Sequence, residues 1–172
     1  MELKLRYYGD PILRIVCDPV ETFDDLLEAE AQAMTETMYR HRGIGLAAPQ
    51  AGLNKRLIIA IKMENMDDVD ADPVALVNPE VLERSKTTWE YEEGCLSIPG
   101  ITGTVIRSEE IVVSYQDLNG EKHAITANGM FAREMLHEID HLNGRLFVDY
   151  LSEANKSLIK PELKKIASGY SP

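Results

Sequence analysis

His137, Glu138 and His141 form an H-E-x-x-H pattern, His137-Glu138-Ile139-Asp140-His141, and that spacing suits a metal ion. On a helix, positions i and i+4 share a face, so both imidazoles can reach one cation. Glu138 lies about 100° round the axis from His137. It can touch a water on that cation without ligating the ion itself. A divalent ion lowers the pKa of such a water to roughly 7, and the carboxylate can take up the released proton. A catalytic site of this kind needs a third protein ligand and one open position.

Three sources of that ligand can be compared. A further histidine downstream is excluded, because Gly144 is in register but Phe147 occupies the ligand position. A glutamate from a later helix leaves Glu153 and Glu162. The third source is Cys95, in the upstream run Glu93-Gly94-Cys95-Leu96-Ser97-Ile98-Pro99. A thiolate is a strong ligand for a borderline-soft ion, so residue chemistry favours Cys95 over the two glutamates. Cys95 as a nucleophile paired with a histidine would leave the H-E-x-x-H spacing unexplained.

The elements that must position these groups follow from periodicity. Leu27, Ala31, Met34 and Met38 fall at helical spacing between Asp24 and Arg42, with Gly43 beyond. A small-residue loop is expected from Gly43 to Gln50. Strands are expected at Leu57–Ile61, Ala75–Val77, Val81–Arg84 and Ile111–Tyr115. Asn119-Gly120 signals a hairpin into Lys122–Thr126. The motif helix should run from Gly129 to Asn143, closed by Gly144, and a last helix from Ser152 should be interrupted before Pro161. Runs of strands between few helices predict an α+β fold. Its antiparallel strands would pack around a central helix carrying H-E-x-x-H, with an N-terminal and a C-terminal helix. Residues 1–151 are expected to form one catalytic domain, and 152–172 a tail that is helical in part.

The chain has 172 residues, 44% of them hydrophobic, and a formal net charge of −11. That length suits one core, and an acidic body disfavours DNA as a partner. No apolar run approaches the length of a membrane span. Cys17 and Cys95 are the two cysteines. They predict a reducing cytoplasm, or an organelle after loss of a transit peptide. Cys17 reads as structural, and His41 and His123 as surface residues without ligand-spaced partners. The acidic run Asp67–Asp72 reads as a solvated loop, because Pro73 and Pro79 stand where a calcium loop requires Gly and Glu.

Three separated motifs then stand out: GIGLAAPQ at 43–50, EGCLSIPG at 93–100 and HEIDHLNG at 137–144. In this order, between GDPILR near the start and RLFVDYL ending at Leu151, they resemble the peptide deformylase family. The resemblance covers all but the C-terminal tail. It implies a hydrolase that removes the formyl group from the N-terminal formyl-methionine of nascent polypeptides, releasing formate, by attack of a metal-bound water. It also implies Cys95, His137 and His141 as ligands, Glu138 as general base and acid, and the Gln50 amide and Leu96 N–H as oxyanion donors. The ion would be Fe(II) natively, with Zn(II) possible. Ile44, Gly45, Tyr91, Glu93, Met130, Arg133 and Glu134 would contact substrate.

Glu134 departs from the family, which usually has Val, Ile or Cys there, and predicts an altered choice of first side chain, neutralisation by Arg133 or water, or a carboxyl turned outward. Leu136 replaces a common Gln, and Ser108 a frequent Pro. Arg107 is expected to pair with Glu93 and fix the Cys95 loop. Lys156, Lys160, Lys164 and Lys165 give the tail a positive excess that could meet ribosomal RNA near the exit tunnel. The competing readings are a zinc endopeptidase using Glu153 or Glu162, and a catalytically dead, ribosome-associated metal-binding factor.

Overall fold

The computed structural model describes residues 1–63 and 71–169. Helix α1 spans Asp25–Arg40. The Asp24 carboxylate accepts from Leu27 N at 3.0 Å, which satisfies one of the donors a helix start leaves open. Leu27, Ala31, Met34 and Met38 are all buried, as their spacing requires.

Strands β1 (Gly45–Ala47), β2 (Leu57–Ile61), β3 (Pro73–Arg84), β6 (Glu110–Gln116) and β7 (Lys122–Asn128) form a five-stranded antiparallel sheet in the order β1-β2-β3-β6-β7. β4 (Thr88–Cys95) and β5 (Ile98–Ser108) form a separate antiparallel pair. β2 is buried along its whole length because both its faces are covered. Leu57, Ile59 and Ile61 join the core around α1. Ile58 and Ala60 join a second core with Phe131, Ala132, Met135, Leu136, Ile139 and Leu142 of helix α2 (Gly129–Leu142). Each fully buried side chain of Leu, Ile or Met size stabilises by roughly 1.5–3 kcal/mol. Gly144, with φ +70°, turns the chain just beyond α2, and a Cβ there would lie 2.6 Å from Arg14 O.

Four expectations need correction. The segment expected as a loop from Gly43 to Gln50 instead contributes edge strand β1 and a 3-10 turn, Ala48–Ala51. The two strands expected at 75–77 and 81–84 are one, β3, with register shifts after Val77 and Val81. Asn78 sits there at φ +50°, and its side chain bonds Val20 N, Val20 O and Gln116 Oε1 at 2.8–2.9 Å. Helix α3 (Glu153–Ala167) runs through Pro161. Proline removes one helical hydrogen bond, but Ile159, Leu163 and Ile166 pack with Ile101, Val105 and Leu151 and hold both halves together. The fourth correction is the β4–β5 pair itself, which periodicity did not predict. The acidic loop expected from Glu64 lies largely outside the described residues.

Candidate metal centre

β4 ends at Cys95, and Leu96-Ser97 form a tight turn into β5. The turn is pinned from outside, since Tyr8 N donates to Ser97 O at 2.8 Å. Cys95 is thereby presented to one face of α2. Its Sγ lies 3.4 Å from His141 Nε2, and the ligand atoms of Cys95, His137 and His141 all lie within 4.8 Å of one another. Two ligands at roughly 2.3 Å (sulfur) and 2.0 Å (nitrogen) on a tetrahedral ion would be about 3.5 Å apart. The observed spacing therefore fits a divalent cation, and the sulfur-plus-two-imidazole set suits iron or zinc.

Burial and mutual contacts shift the ionisation of these groups in different directions. Burial alone would push the Cys95 thiol up, but the two imidazoles outweigh it and bring it down to about 5. Burial would lower His137, yet Cys95 and Glu93 hold it well above its usual value. His137 Nδ1 donates to Glu93 Oε1 at 3.0 Å, which leaves Nε2 facing the site, as a ligating imidazole requires. Burial pushes Glu138 well above the ordinary carboxylate range; His137 opposes the rise and Glu134 adds to it. Among the described residues, Glu138 Oε2 is buried without a partner. Cys17 behaves differently: burial raises its thiol to about 11, in keeping with a structural role.

Glu93 anchors the arrangement. Its carboxylate accepts from Arg107 Nε and Nη2 at 2.7 and 2.9 Å, from Arg133 Nη1 and from His137. Burial would raise it, but His137 and Arg107 hold it at about 2. Arg107 Nη1 reaches on to Asp140 at 2.8 Å, tying β5 to the motif helix. Arg133 also donates to Val105 O and Trp89 O and lies 4.4 Å from the Trp89 ring centre. The expected Arg107–Glu93 pair is present. Glu93 and Arg133 both line the cavity beside the centre; the Glu93 carboxylate and the two Arg133 Nη atoms are engaged within the protein, while Arg133 Nε is buried without a partner among the described residues.

Gln50 is fixed by Ala47 N, which donates to its Oε1 at 2.8 Å. Its Nε2 then points at Cys95 Sγ and Ser97 Oγ, 3.4 and 3.2 Å away. A cavity of about 710 Å³ opens beside these groups, lined by Ile44, Gly45, Gln50, Tyr91, Cys95, Leu96, Met130, Glu134 and Glu138 among others. Glu134 faces inward: its Oε1 occupies the space a Cβ on Gly45 would need, and it hydrogen-bonds Glu138.

The Glu93–His137 bond and the Arg133 anchor escaped the sequence reading. Their signal was the alternation Trp89-Tyr91-Glu93-Cys95, a strand pattern with an unusual inner face. His41 is half-buried at the cavity and not merely a surface residue. His123 does have partners at ligand distance, Asp117 and Glu121. The β6–β7 turn brings them together, and the His123–Asp117 contact at 2.8 Å accounts for the group.

Sheet, helix and donor set together define an α+β protein with a candidate metal centre of the H-E-x-x-H type. Residues 2–157 match the profile of the polypeptide deformylase family, and the chain belongs to that family. It is 44% identical over 164 residues to a peptide deformylase of Thermotoga petrophila, covering 95% of this chain and 96% of the relative. The crystal structure of peptide deformylase from Thermotoga maritima superposes with a TM-score of 0.82 at 43% identity, over 88% of this chain and 99% of that one. A peptide deformylase from Legionella pneumophila superposes with 0.87 at 39% identity, over 98% and 96%.

Proposed function

We propose that this chain removes the formyl group from the N-terminal formyl-methionine of new polypeptides, with Cys95, His137 and His141 holding one divalent ion and Glu138 moving the proton. One observation carries the residue assignment: three ligand atoms within 4.8 Å of one another, beside a buried, unpartnered Glu138 Oε2. Family membership supports the activity.

A divalent ion in this donor set would supply Lewis acidity and lower the pKa of water at the site. Glu138 Oε2 takes a proton from the water whose oxygen bonds to the formyl carbon. Negative charge grows on the former carbonyl oxygen, where Gln50 Nε2 and Leu96 N–H donate to it. The carbon–nitrogen bond then breaks, Glu138 returns its proton to the departing amine, and formate leaves. Glu93 keeps the His137 imidazole in its ligating tautomer throughout. Ile44, Gly45, Tyr91 and Met130 receive the substrate's first side chain, while Glu93 and Arg133 shape the wall behind them.

The reading takes Fe(II) as the native ion, with Zn(II) able to replace it. α2 is taken as the central helix of one catalytic unit, residues 1–151, with α3 as its tail. The exposed Lys160, Lys164 and Lys165 are the proposed contact with ribosomal RNA. Two unpaired thiols support a cytoplasmic location. Among the described residues, no helix is long and apolar enough to cross a membrane. The endopeptidase reading is disfavoured, because Glu153 and Glu162 lie on the outside of α3 with Lys156 and Lys165 as partners. A dead factor would have no use for Glu138 and Gln50 placed as they are.

Formate release from formyl-Met-Ala-Ser by protein purified without oxygen tests the activity. Glu138→Gln should keep its metal and lose activity by roughly 10²–10⁴-fold. Full metal occupancy with no release from the unaltered chain would overturn the proposal.

A further inference from the structure

Among the described residues, the buried side-chain atoms without a hydrogen-bond partner are Trp89 Nε1, Arg133 Nε, Glu138 Oε2 and His141 Nδ1. Of these residues, Arg133 and Glu138 line the cavity. The proposed proton transfer uses Glu138 Oε2 and leaves Arg133 Nε unexplained. We infer that Arg133 Nε–H donates to the sulfur of the substrate's first methionine, so that the pocket selects a thioether over a hydrocarbon chain of the same length. The inference rests on the proposed hydrolysis of formyl-methionyl peptides and gives that reaction a specificity-determining residue.

Met130, Arg133, Glu134, His137 and Glu138 of α2 line the cavity, whereas His141 and Leu142 do not. The cavity therefore leads from the reacting group toward the N-terminal end of α2. Arg133 stands five residues before Glu138, about 7.5 Å along the helix. A methionine sulfur lies five bonds from the formyl carbon on its own nitrogen, about 6 Å away when the chain is extended. A formyl group held at Glu138 thus brings the sulfur level with Arg133. Tyr91, one of the groups proposed to receive this side chain, has its ring centre 5.7 Å from the Arg133 guanidinium carbon.

The rest of the guanidinium is spent on the wall behind. Nη1 donates to Glu93 and Val105 O, and Nη2 to Trp89 O. The Trp89 ring centre lies 4.4 Å from its carbon. What Arg133 turns to the cavity is its stem and the Nε edge. The neighbouring carboxyls are engaged, Glu134 with Glu138 and Glu93 with Arg107, Arg133 and His137. A buried N–H left without an acceptor is costly. A thioether sulfur is a weak acceptor and a methylene is none. Methionine therefore satisfies Nε, where norleucine, of the same length, leaves it unmet.

The test compares kcat/KM for formyl-Met-Ala-Ser and formyl-norleucyl-Ala-Ser in the metal-loaded enzyme and in Arg133→Lys. Lysine keeps the charge facing Glu93 but has no donor at the Nε position. Each ratio is taken within one protein, so a general loss of activity or metal cancels. The unaltered enzyme should prefer methionine by about three- to tenfold, and Arg133→Lys should bring the ratio within about twofold of one. Alongside, the assigned Arg133 Nε–H NMR signal of the zinc-loaded, unaltered protein is followed with the products Met-Ala-Ser and norleucyl-Ala-Ser, a readout that does not depend on the variant folding. The signal should move downfield with the methionyl product alone. Equal signals with both products, as an ordered water on Nε would give, would overturn the inference. So would a methionine preference that persists in Arg133→Lys, as sulfur resting on the Tyr91 ring would give. Formate release with equal signals removes only the Arg133 contact. Signals that differ without any formate release remove the deformylase reading and leave the contact standing.

Discussion

Helix α2 meets the five-stranded sheet through Ile58, Ala60, Leu76, Ile111 and Val113, but meets the β4–β5 pair largely through Glu93, Arg107, Asp140, Arg133 and His137. The first contact is non-directional: any apolar side chains of suitable size would hold the helix there. The second is directional, because each hydrogen bond fixes an angle as well as a distance. Cys95 comes from the β4–β5 side and the two histidines from α2. The proposed centre, whose ligands must converge within a few tenths of an ångström, is thus assembled across the charged contact, with the apolar one as its backing.

The contrast can be broken most forcefully at Glu93. Glu93→Ala leaves Arg107 and Arg133 buried without their counter-charge and should cost roughly 3–5 kcal/mol in urea unfolding. It should also weaken metal binding about 10–100-fold. On the apolar side, Met135→Ala should cost about 2–5 kcal/mol through its cavity while leaving metal affinity within about threefold, since Met135 packs in the apolar core with Ile58 and Ala60. Equal losses of metal affinity in the two variants would erase the distinction drawn between the contacts.

A third comparison sets the two thiols against each other. With Cys95 at about 5 and Cys17 at about 11, metal-free protein at pH 7 holds Cys95 as thiolate and Cys17 as thiol. Iodoacetamide should modify Cys95 at least about 100-fold faster, at a rate nearly flat from about pH 6 to 8, and loading with Zn(II) should protect it. Mass spectrometry of the labelled peptides reads this directly. The smallest expected effect is at Arg107. Lysine there keeps the charge but loses the fork that grips Glu93 and Asp140 together, so Arg107→Lys should reduce metal affinity by about tenfold. An unchanged affinity in a competition titration would mean that charge alone holds this side.

The same contrast explains what could be read from the sequence. α1, α2 and β2 are built on apolar periodicity, and Leu27, Met34, Ile59 and Met135 declare it. The inner face of β4 is Trp89, Tyr91, Glu93 and Cys95, an alternation whose buried members are not aliphatic, so the strand hid behind its Gly- and Pro-containing turn. The two proposed histidine ligands were legible because i, i+4 spacing is local. The bond from Glu93 to His137 joins residues 44 apart, and no local pattern encodes it. Asn78-Pro79 split one strand into two on paper for a related reason: its repair, the Asn78 side chain bonding Val20 and Gln116, is made at a distance.

X-ray absorption at the edge of the bound metal, in protein loaded with Fe(II) or Zn(II), addresses the convergence of Cys95 with the two histidines most directly. One sulfur at about 2.3 Å and two imidazole nitrogens at about 2.0–2.1 Å are predicted for the zinc form, with the sulfur shell lost in Cys95→Ser. A shell of nitrogen and oxygen alone in the unaltered protein would contradict it.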